Sequence, residues 1–254
     1  MKKILSIALA LIMILAAGAA LASCTKPEKE KLVMATNATF PPYEFYEGTK
    51  LAGIDVELGG KIAEKLGMEL EIKDVGFDTI IAGIESGSYT IGMAGMTVTE
   101  TRLEKVNFST SYAKGVQVVI VKEGSGITSI DDLTGKKIGV QQGTTGDIYA
   151  SDTPENGGFG EENVSKFQNG PDAVQALVSG SVDAVIIDNE PAKNYVAANA
   201  GLTILPTAYA DEDYAIAISK SNTELLAKIN QALKELKDDG TIDAIVEKYI
   251  PSGK

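Results

Sequence analysis

The sequence contains no histidine and only one cysteine, Cys24. Catalytic triads and Cys-His pairs need an imidazole base, and zinc sites are usually built from clustered histidines and cysteines. Both kinds of site are therefore excluded, and a single thiol has no partner for an intrachain disulfide. We expect no metal, no cofactor and no enzymatic activity.

Positive charge is also scarce. The 254-residue chain carries 35 acidic residues against 23 lysines and arginines, which gives a formal net charge of -12. Proteins that bind nucleic acid usually carry a basic patch that neutralises phosphates, and the composition indicates none. Nucleic acid is therefore not expected as a partner, and solubility is the simplest reason for the acidic balance.

The long apolar run of the sequence is at the N-terminus. A lysine-containing start precedes apolar residues 4–22, which is the layout of a secretory signal peptide. Small residues before Cys24 resemble the bacterial lipoprotein signal, in which cleavage exposes a cysteine that carries fatty acids such as palmitate. We predict a signal peptide at 1–23, lipidation of Cys24 and a polar tether at 24–31. A retained membrane anchor is the alternative, because roughly 20 apolar residues span a bilayer.

Short apolar runs alternate with amphipathic segments in the rest of the chain. A first set of strands is predicted at 32–36, 69–74 and 91–94, with a helix at 56–66 that ends at Gly67. This alternation indicates an α/β lobe built on a small, largely parallel sheet flanked by helices.

A second set of strands is predicted further along the chain, at 116–121, 138–140, 184–187 and 202–205. A long helix at 223–237 follows, with leucines and isoleucines at helical spacing. The sequence therefore predicts a second α/β lobe with its own small, largely parallel sheet.

Two stretches of the chain resemble each other. Residues 78–94 and residues 172–187 each predict a helix, a Ser-Gly-Ser turn and a strand. A chance match is the alternative, but two lobes built alike would each present polar residues where their strands end. These residues are Gly95 and Thr97 in one stretch and Asp188 in the other. Ligands of open α/β sheets bind beyond the carboxyl ends of the strands.

Arg102 is the single arginine of the chain. A guanidinium holds a carboxylate through two parallel hydrogen bonds, which an ammonium cannot copy. Arg102 follows a predicted strand end that runs into a turn, where hydroxyl and N–H groups would complete an anion site. The alternative is a surface salt bridge with Glu100 or Glu104.

Three further features are candidates for ligand contacts. Asp188 would present its carboxylate to an ammonium group, although an aspartate in this position is more often a turn former or a helix N-cap. The loop at 142–146 follows a strand and opens a helix, so its N–H groups would face an anion. Phe40 and Phe77 would enclose a small side chain, although core packing is the usual fate of such residues.

Four motifs are decisive when they are taken together. They are GIDVEL at 53–58, GMTVTETR at 95–102, VNFSTSY at 106–112 and QGTTG at 142–146. In this order and spacing they resemble the polar amino-acid-binding proteins of ABC importers, bacterial extracellular solute-binding protein family 3. The resemblance covers nearly all of residues 32–251. It implies a two-lobed, periplasmic-binding-protein-like fold of type II, with two small sheets flanked by helices and joined by a two-strand hinge.

The resemblance also implies roles for individual residues. Arg102 would hold the α-carboxylate of an amino acid, assisted by Thr97 and the Thr145 backbone. Asp188 would receive the α-ammonium, joined by the Gly95 carbonyl and the Thr97 hydroxyl. The site would thus pair both charges of a zwitterion.

The ligand side chain would lie between Phe40 and Phe77, with Asn37 and Gln141 at the positions that select it. Relatives that favour basic ligands often carry aspartate at the place of Asn37, so the resemblance does not imply a strictly basic ligand. No lysine or arginine occupies a selecting position, which disfavours an acidic ligand. A polar neutral or cationic side chain is therefore expected.

The resemblance places the hinge at 112–116 and 211–214. Lobe 1 would comprise 32–111 together with 215–254, and lobe 2 would comprise 117–210. The lobes would close on a free L-amino acid, which the protein would deliver to an ABC transporter permease. The protein would act as a monomer on the outer side of the cell membrane, held there through its lipid anchor alone.

Two other functions are compatible with this fold. A prephenate or arogenate dehydratase would need a general acid in the cleft, and Asp188 is the candidate. The ligand-sensing ectodomain of a receptor or channel is the second alternative. The lipoprotein signal and the lack of a later apolar span disfavour it.

Overall fold

The computed structural model describes residues 29–251. The predicted signal peptide, Cys24 and most of the tether lie outside the described residues. Lys31, assigned above to the tether, is the first residue of a strand and pairs with Glu69. Within residues 29–251, no helix is long and apolar enough to cross a membrane.

Strands and helices alternate along the described chain. In chain order the strands are β1 (Lys31–Thr36), β2 (Thr39–Phe40), β3 (Glu44–Glu47), β4 (Lys50–Ala52), β5 (Glu69–Asp74), β6 (Ile91–Gly92), β7 (Val106–Phe108), β8 (Ala113–Lys122), β9 (Ile138–Gln141), β10 (Val164–Phe167), β11 (Ala184–Asp188), β12 (Leu202–Ile204), β13 (Ala210–Tyr214) and β14 (Ala217–Ser219). The helices are α1 (Ile54–Leu66), α2 (Ile80–Glu85), α3 (Glu100–Lys105), α4 (Thr145–Ser151), α5 (Gly170–Ser179), α6 (Asn189–Ala198), α7 (Thr223–Asp238) and α8 (Thr241–Tyr249). Short 3-10 turns lie at Phe77–Thr79, Ile130–Leu133, Pro154–Asn156 and Glu161–Asn163.

Two main sheets organise residues 29–251. The first has the strand order β5-β1-β6-β14-β7, with β1 parallel to β5 and β6 and with β14 antiparallel to both of its neighbours. The second has the order β10-β9-β11-β8-β12, and β13 also pairs with β8. Helices flank both sheets, which confirms the predicted fold class. A small hairpin sheet, β2-β3-β4, adjoins the first sheet in sequence.

Both faces of the long strand β8 are covered by apolar residues. Val118 and Ile120 belong to one hydrophobic core, and Val119 and Val121 belong to another. Successive side chains of a strand point to opposite faces, so an unbroken apolar run is what a strand buried on both faces requires. This is why the run was recognisable in the sequence.

Local capping signals bound the two long helices, α1 and α7, within two residues of their predicted limits. Gly67 closes α1 in the left-handed conformation, with φ of 70°, which glycine adopts without steric cost. Asn222 caps α7 by accepting a hydrogen bond from the Leu225 N–H at 3.2 Å. The buried stripe of α7 comprises Leu225, Ile229, Leu233 and Leu236.

Two segments of the chain pass between the main sheets. The chain leaves the first sheet after Phe108 and returns to it at Ala217. Between these points β8 and β13 pair antiparallel, with Ala113 opposite Tyr214 and Val116 opposite Asp211. The paired segments include the residues expected to form the hinge, while the lobe boundaries stay a prediction.

Two local predictions need correction. Arg102 lies within the short helix α3 rather than in a turn, because the Thr99 hydroxyl caps that helix by accepting from the Arg102 N–H at 3.2 Å. Both main sheets are mixed rather than largely parallel, because β14 runs antiparallel to β6 and β7 in the first sheet and β8 runs antiparallel to β11, β12 and β13 in the second. Apolar runs alone do not reveal strand direction.

Candidate ligand-binding site

A buried cavity lies beyond the carboxyl ends of β1, β6, β9 and β11, the edge at which α/β sheets bind ligands. Its lining residues are Asn37, Phe40, Glu44, Phe77, Ala94, Gly95, Thr97, Arg102, Gln141, Thr144, Thr145 and Asp188. The structure therefore brings all nine sequence-predicted ligand residues together. It adds Thr144 from the candidate loop at 142–146, and also Glu44 and Ala94, which the sequence did not indicate; of these, Glu44 is charged.

Arg102 is buried, with 6% of its surface exposed. Its guanidinium donates from Nη1 to the Thr97 carbonyl at 2.7 Å and from Nη2 to the Gly143 carbonyl at 3.0 Å. The group lies over the Phe77 ring, 5.3 Å from its centroid. Burial lowers the pKa of Arg102 to about 10, so the side chain stays charged at neutral pH. A buried guanidinium held by carbonyls does not fit the alternative of a surface salt bridge.

Asp188 ends β11 and is equally buried. It occupies the N-cap position of α6, but its side chain makes no capping hydrogen bond. The Gln117 amide donates to Asp188 Oδ2 at 2.7 Å, and the Tyr214 hydroxyl donates to Oδ1. Burial, followed by the nearby Glu212 carboxylate, raises the pKa of Asp188 well above its usual range.

Glu212 and Gln117 complete this polar network behind the cavity. The Gln117 Nε2 atom donates to Glu212 Oε2 at 3.1 Å as well as to Asp188. Sequence reasoning missed both residues, because each lies on a strand that crosses between the sheets. The sequence did contain one signal for the position of Glu212. Residues two apart on a strand share a face, so Glu212 lies on the same face of β13 as Tyr214.

A second pair of buried acids, Asp55 and Glu44, lies beside the segment that follows β6. Asp55 Oδ2 accepts from the Gly95 N–H at 2.9 Å and from the Tyr112 hydroxyl at 2.8 Å. Glu44 lies beside it, and both carboxyl groups are buried. Burial raises the pKa of Asp55 to about 6, and burial together with Asp55 raises that of Glu44 well above its usual range.

Gly95 meets a steric constraint in this arrangement. Its φ is 52°, and a Cβ atom there would approach within 2.9 Å of the Phe40 ring. Phe40 therefore packs closely over the end of β6. Phe40 and Phe77 belong to hydrophobic cores and also line the cavity, while their contact with a ligand side chain stays a prediction.

Asn37 and Gln141 meet across the cavity. The Gln141 Nε2 atom donates to Asn37 Oδ1 at 2.9 Å, and Asn37 Nδ2 donates to the Val75 carbonyl at 2.8 Å. Because Asn37 follows β1 and Gln141 ends β9, this contact joins the two main sheets.

The loop before α4 carries Thr144 and Thr145. Thr144 caps α4, because its hydroxyl accepts from the Asp147 N–H at 3.2 Å. Asp147 Oδ2 in turn accepts from the Gly143 N–H at 2.9 Å. These bonds hold Thr145 at the first position of the helix, facing the cavity.

Three further hydrogen bonds join the two sides of the cavity. Arg102 reaches Gly143 as described, and the Tyr195 hydroxyl donates to the Thr39 carbonyl at 2.5 Å. The Gln142 amide donates to Asp78 Oδ2 at 3.1 Å. The described chain is therefore in a closed arrangement.

Comparisons with known proteins agree with this geometry. The family model described as bacterial extracellular solute-binding proteins, family 3, matches residues 32–252. The chain belongs to this family. Members of it and the curated relatives are binding proteins rather than enzymes, which confirms the expectation of no enzymatic activity and removes the dehydratase alternative.

Individual family members are similar over most of their length. The arginine-binding extracellular protein ArtP of Bacillus subtilis (strain 168) is 34% identical over 228 residues, which cover 89% of this chain and 88% of ArtP. A solved ancestral arginine-binding protein bound to arginine is 44% identical, with a TM-score of 0.81, and the match covers 87% of this chain and 99% of that one. The same type of ancestral protein bound to glutamine is 43% identical, also with a TM-score of 0.81, covering 88% and 99%.

These similarities confirm the resemblance inferred from the four sequence motifs. They also agree with the predicted periplasmic-binding-protein-like fold. The roles of the individual cavity residues toward a ligand stay predictions.

Proposed function

We propose that this protein captures a free L-amino acid outside the cytoplasm by closure of two lobes and delivers it to the permease of an ABC transporter. The observation that supports the proposal most directly is the placement of Arg102 and Asp188. Arg102 lies on helix α3, between two strands of the first sheet, and Asp188 ends β11 of the second sheet; both are buried, and both line one cavity. Burying a zwitterion is costly unless both of its charges are paired, and this cavity offers a partner for each.

The α-carboxylate would bind Arg102, with help from the Thr97 side chain and the Thr145 backbone. The α-ammonium would bind Asp188, the Gly95 carbonyl and the Thr97 hydroxyl. Arg102 suits this role because its guanidinium is already oriented by the carbonyls of Thr97 and Gly143. Pre-oriented groups lose little conformational freedom when the ligand arrives.

The ligand side chain is proposed to be polar neutral or cationic rather than acidic. Glu44 and Asp188 line the cavity, whereas Arg102 is the cation among its lining residues. An acidic side chain would add negative charge to a buried acidic environment. ArtP is named for arginine, and the ancestral protein has been solved with arginine and with glutamine, which fits either class.

Closure is proposed to occur about the segments 112–116 and 211–214. Lobe 1 would comprise 32–111 and 215–254, and lobe 2 would comprise 117–210. The hydrogen bonds across the cavity support this division, because each joins a residue of one proposed lobe to a residue of the other. The closed form would then be recognised by the permease.

The location of the protein is proposed from the leader. Cleavage before Cys24 and lipidation of its sulfur would hold the domain on the outer face of the membrane, as a monomer. The family is one of extracellular solute-binding proteins, which supports an extracytoplasmic location.

A thermal-shift screen of the purified protein with the twenty amino acids and ornithine tests the proposal. A ligand present at a hundred times its Kd stabilises the folded state by about 2.7 kcal/mol, which raises Tm by several degrees for a chain of this size. We expect such a rise with at least one polar neutral or cationic amino acid and none with aspartate or glutamate. The decarboxylated amine of the best ligand should give no rise, because Arg102 would lack its partner. Failure of every amino acid to raise Tm would overturn the proposal.

A further inference from the structure

Two buried carboxyl groups meet behind the cavity without a cation between them. Asp188 and Glu212 are 6% and 5% exposed, and the same Gln117 Nε2 atom donates to both, at 2.7 and 3.1 Å. One oxygen of Glu212, Oε1, is buried and has no hydrogen-bond partner among the described residues. This arrangement brings two acids together in a site with few compensating groups.

Charged and titratable groups approach the pair from several elements. They are Tyr43, Glu44, Arg102, Tyr149, Tyr195 and Tyr214. Arg102 is the cation of this set, and its Nη atoms donate to backbone carbonyls rather than to either carboxylate. Glu190, at the start of α6, is paired with Lys193 at 2.6 Å. Arg102 interacts electrostatically with both carboxylates, but within residues 29–251 no cation is hydrogen-bonded to the pair, so a proton or a ligand ammonium would have to complete its neutralisation.

We propose that Glu212 is a positioning residue for the ligand ammonium, and that Glu212 and Asp188 share one proton in the empty cavity and release it to solvent when the ammonium binds. The proposal rests on the proposed function, because it requires a ligand with an α-ammonium group. No covalent bond changes. One proton leaves the carboxyl pair for the buffer as the ammonium takes its place.

The physical reason is the cost of two ionised carboxylates in one buried site. Like charges at hydrogen-bonding distance cannot both be ionised cheaply, so one proton is retained by the pair as a unit. Burial and Glu212 both raise the pKa of Asp188, in agreement with the geometry. An ammonium beside Asp188 reverses this effect, because an opposite charge favours the ionised form.

The coupling has a consequence for affinity. Where the empty pair is protonated, binding must expel a proton, so affinity rises as the pH rises. Once the pH is high enough for the empty pair to lose its proton, affinity becomes independent of pH. Acidification of the surroundings would therefore weaken binding, without any histidine in the chain.

Calorimetry in buffers of different ionisation enthalpy measures the released proton directly. We would titrate L-arginine first, and otherwise the amino acid with the largest thermal shift, in phosphate and in Tris at the same neutral pH. The observed enthalpy should vary linearly with the ionisation enthalpy of the buffer, with a slope that corresponds to release of about one proton per ligand. A slope of zero in the wild-type protein would overturn this inference and leave the proposed function intact. Absence of binding by any amino acid would instead overturn the proposed function.

The variant Glu212→Gln identifies the source of the proton. It keeps the side-chain shape but removes one acid, so Asp188 should be ionised before the ligand arrives. We expect proton release to fall to near zero and affinity to lose its dependence on pH. The control is Glu155→Gln, the same exchange at an exposed position in the turn Pro154–Asn156, which should release as many protons as the wild type.

Proton release that is unchanged in Glu212→Gln would overturn the inference and point to another acid, such as Glu44. If Glu212→Gln does not fold, the slope measured with the wild-type protein still decides whether a proton leaves at all. The affinity of the wild-type protein, measured as a function of pH, is a second test. An affinity that does not change with pH below neutral pH would contradict a shared proton.

Discussion

Arg102 illustrates how one side chain is prepared for a ligand by its surroundings. Helix α3 begins just before it, the Thr97 and Gly143 carbonyls hold its guanidinium, and the Phe77 ring lies beneath. A lysine at this position would offer an ammonium group, which has fewer and less directional hydrogen-bond donors than the guanidinium. The planar fork, rather than charge alone, is therefore what the site uses.

The substitution Arg102→Lys tests this conclusion. It keeps the charge but removes the fork, so we expect Kd for the cognate amino acid to rise at least about tenfold, equivalent to about 1.4 kcal/mol. Isothermal titration calorimetry measures the change. The matched control is the reverse exchange, Lys105→Arg, at an exposed position of the same helix. An affinity for Arg102→Lys close to that of the wild type would show that Arg102 does not hold the carboxylate.

Individual residues differed in how well the sequence revealed them. Arg102 was conspicuous by composition and Asp188 by its place after an apolar strand, and both line the cavity. Glu44 and Glu212 were not identified, although Glu44 stands between two aromatic residues and Glu212 alternates with Tyr214 on β13. Their importance depends on neighbours supplied by distant parts of the chain.

Helix α6 contributes a contact that closes the cavity from the side. The Tyr195 hydroxyl on this helix donates to the Thr39 carbonyl on β2, at 2.5 Å. Tyr195 follows β11 of the second sheet, and Thr39 belongs to the hairpin next to the first sheet. This bond exists only when the two sides are together, so it stabilises the closed arrangement selectively.

The substitution Tyr195→Phe should weaken ligand binding. Loss of one hydrogen bond costs about 0.5 to 1.5 kcal/mol, so we expect Kd to rise about two- to tenfold, mainly through faster dissociation. Stopped-flow kinetics measure the dissociation rate. Tyr209→Phe is the control, because the Tyr209 hydroxyl lies 3.5 Å from the Gly157 carbonyl and both residues belong to the proposed lobe 2. Equal effects of the two substitutions would contradict a role for Tyr195 in closure.

The crossing strands β8 and β13 combine structural and chemical tasks. They carry the chain between the sheets, and they also present Gln117 and Glu212 to Asp188. The proposed hinge movement and the polar network behind the cavity would therefore depend on the same two strands.

At the level of the whole molecule, the proposed lipid anchor and the described domain would have separate tasks. The described cavity is lined by residues between Asn37 and Asp188, while Cys24 lies outside the described residues. The proposed tether would connect a membrane anchor to a domain that binds its ligand independently. Location and binding should consequently respond to different substitutions.

The substitution Cys24→Ser in a bacterial host tests the anchor. Without the lipid-accepting thiol, we expect the protein to leave the membrane fraction or to accumulate as the uncleaved precursor, and labelled palmitate should no longer be incorporated. Ser23→Ala keeps a small residue before the cysteine and should behave as the wild type. Palmitate labelling of Cys24→Ser at the wild-type level would rule out lipidation at Cys24.

Composition and local pattern were sufficient for the α/β class, the family motifs and two charged residues that line the cavity, Arg102 and Asp188. They were sufficient because strand periodicity, helix caps and strand-end positions are local properties of the chain. Only the tertiary structure revealed the two acidic pairs, the helical setting of Arg102 and the hydrogen bonds across the cavity. Gln117, Asp188 and Glu212 are far apart in sequence and meet only through the pairing of β8 with β11 and β13. The pairing of these strands therefore determines which acidic groups lie next to the cavity.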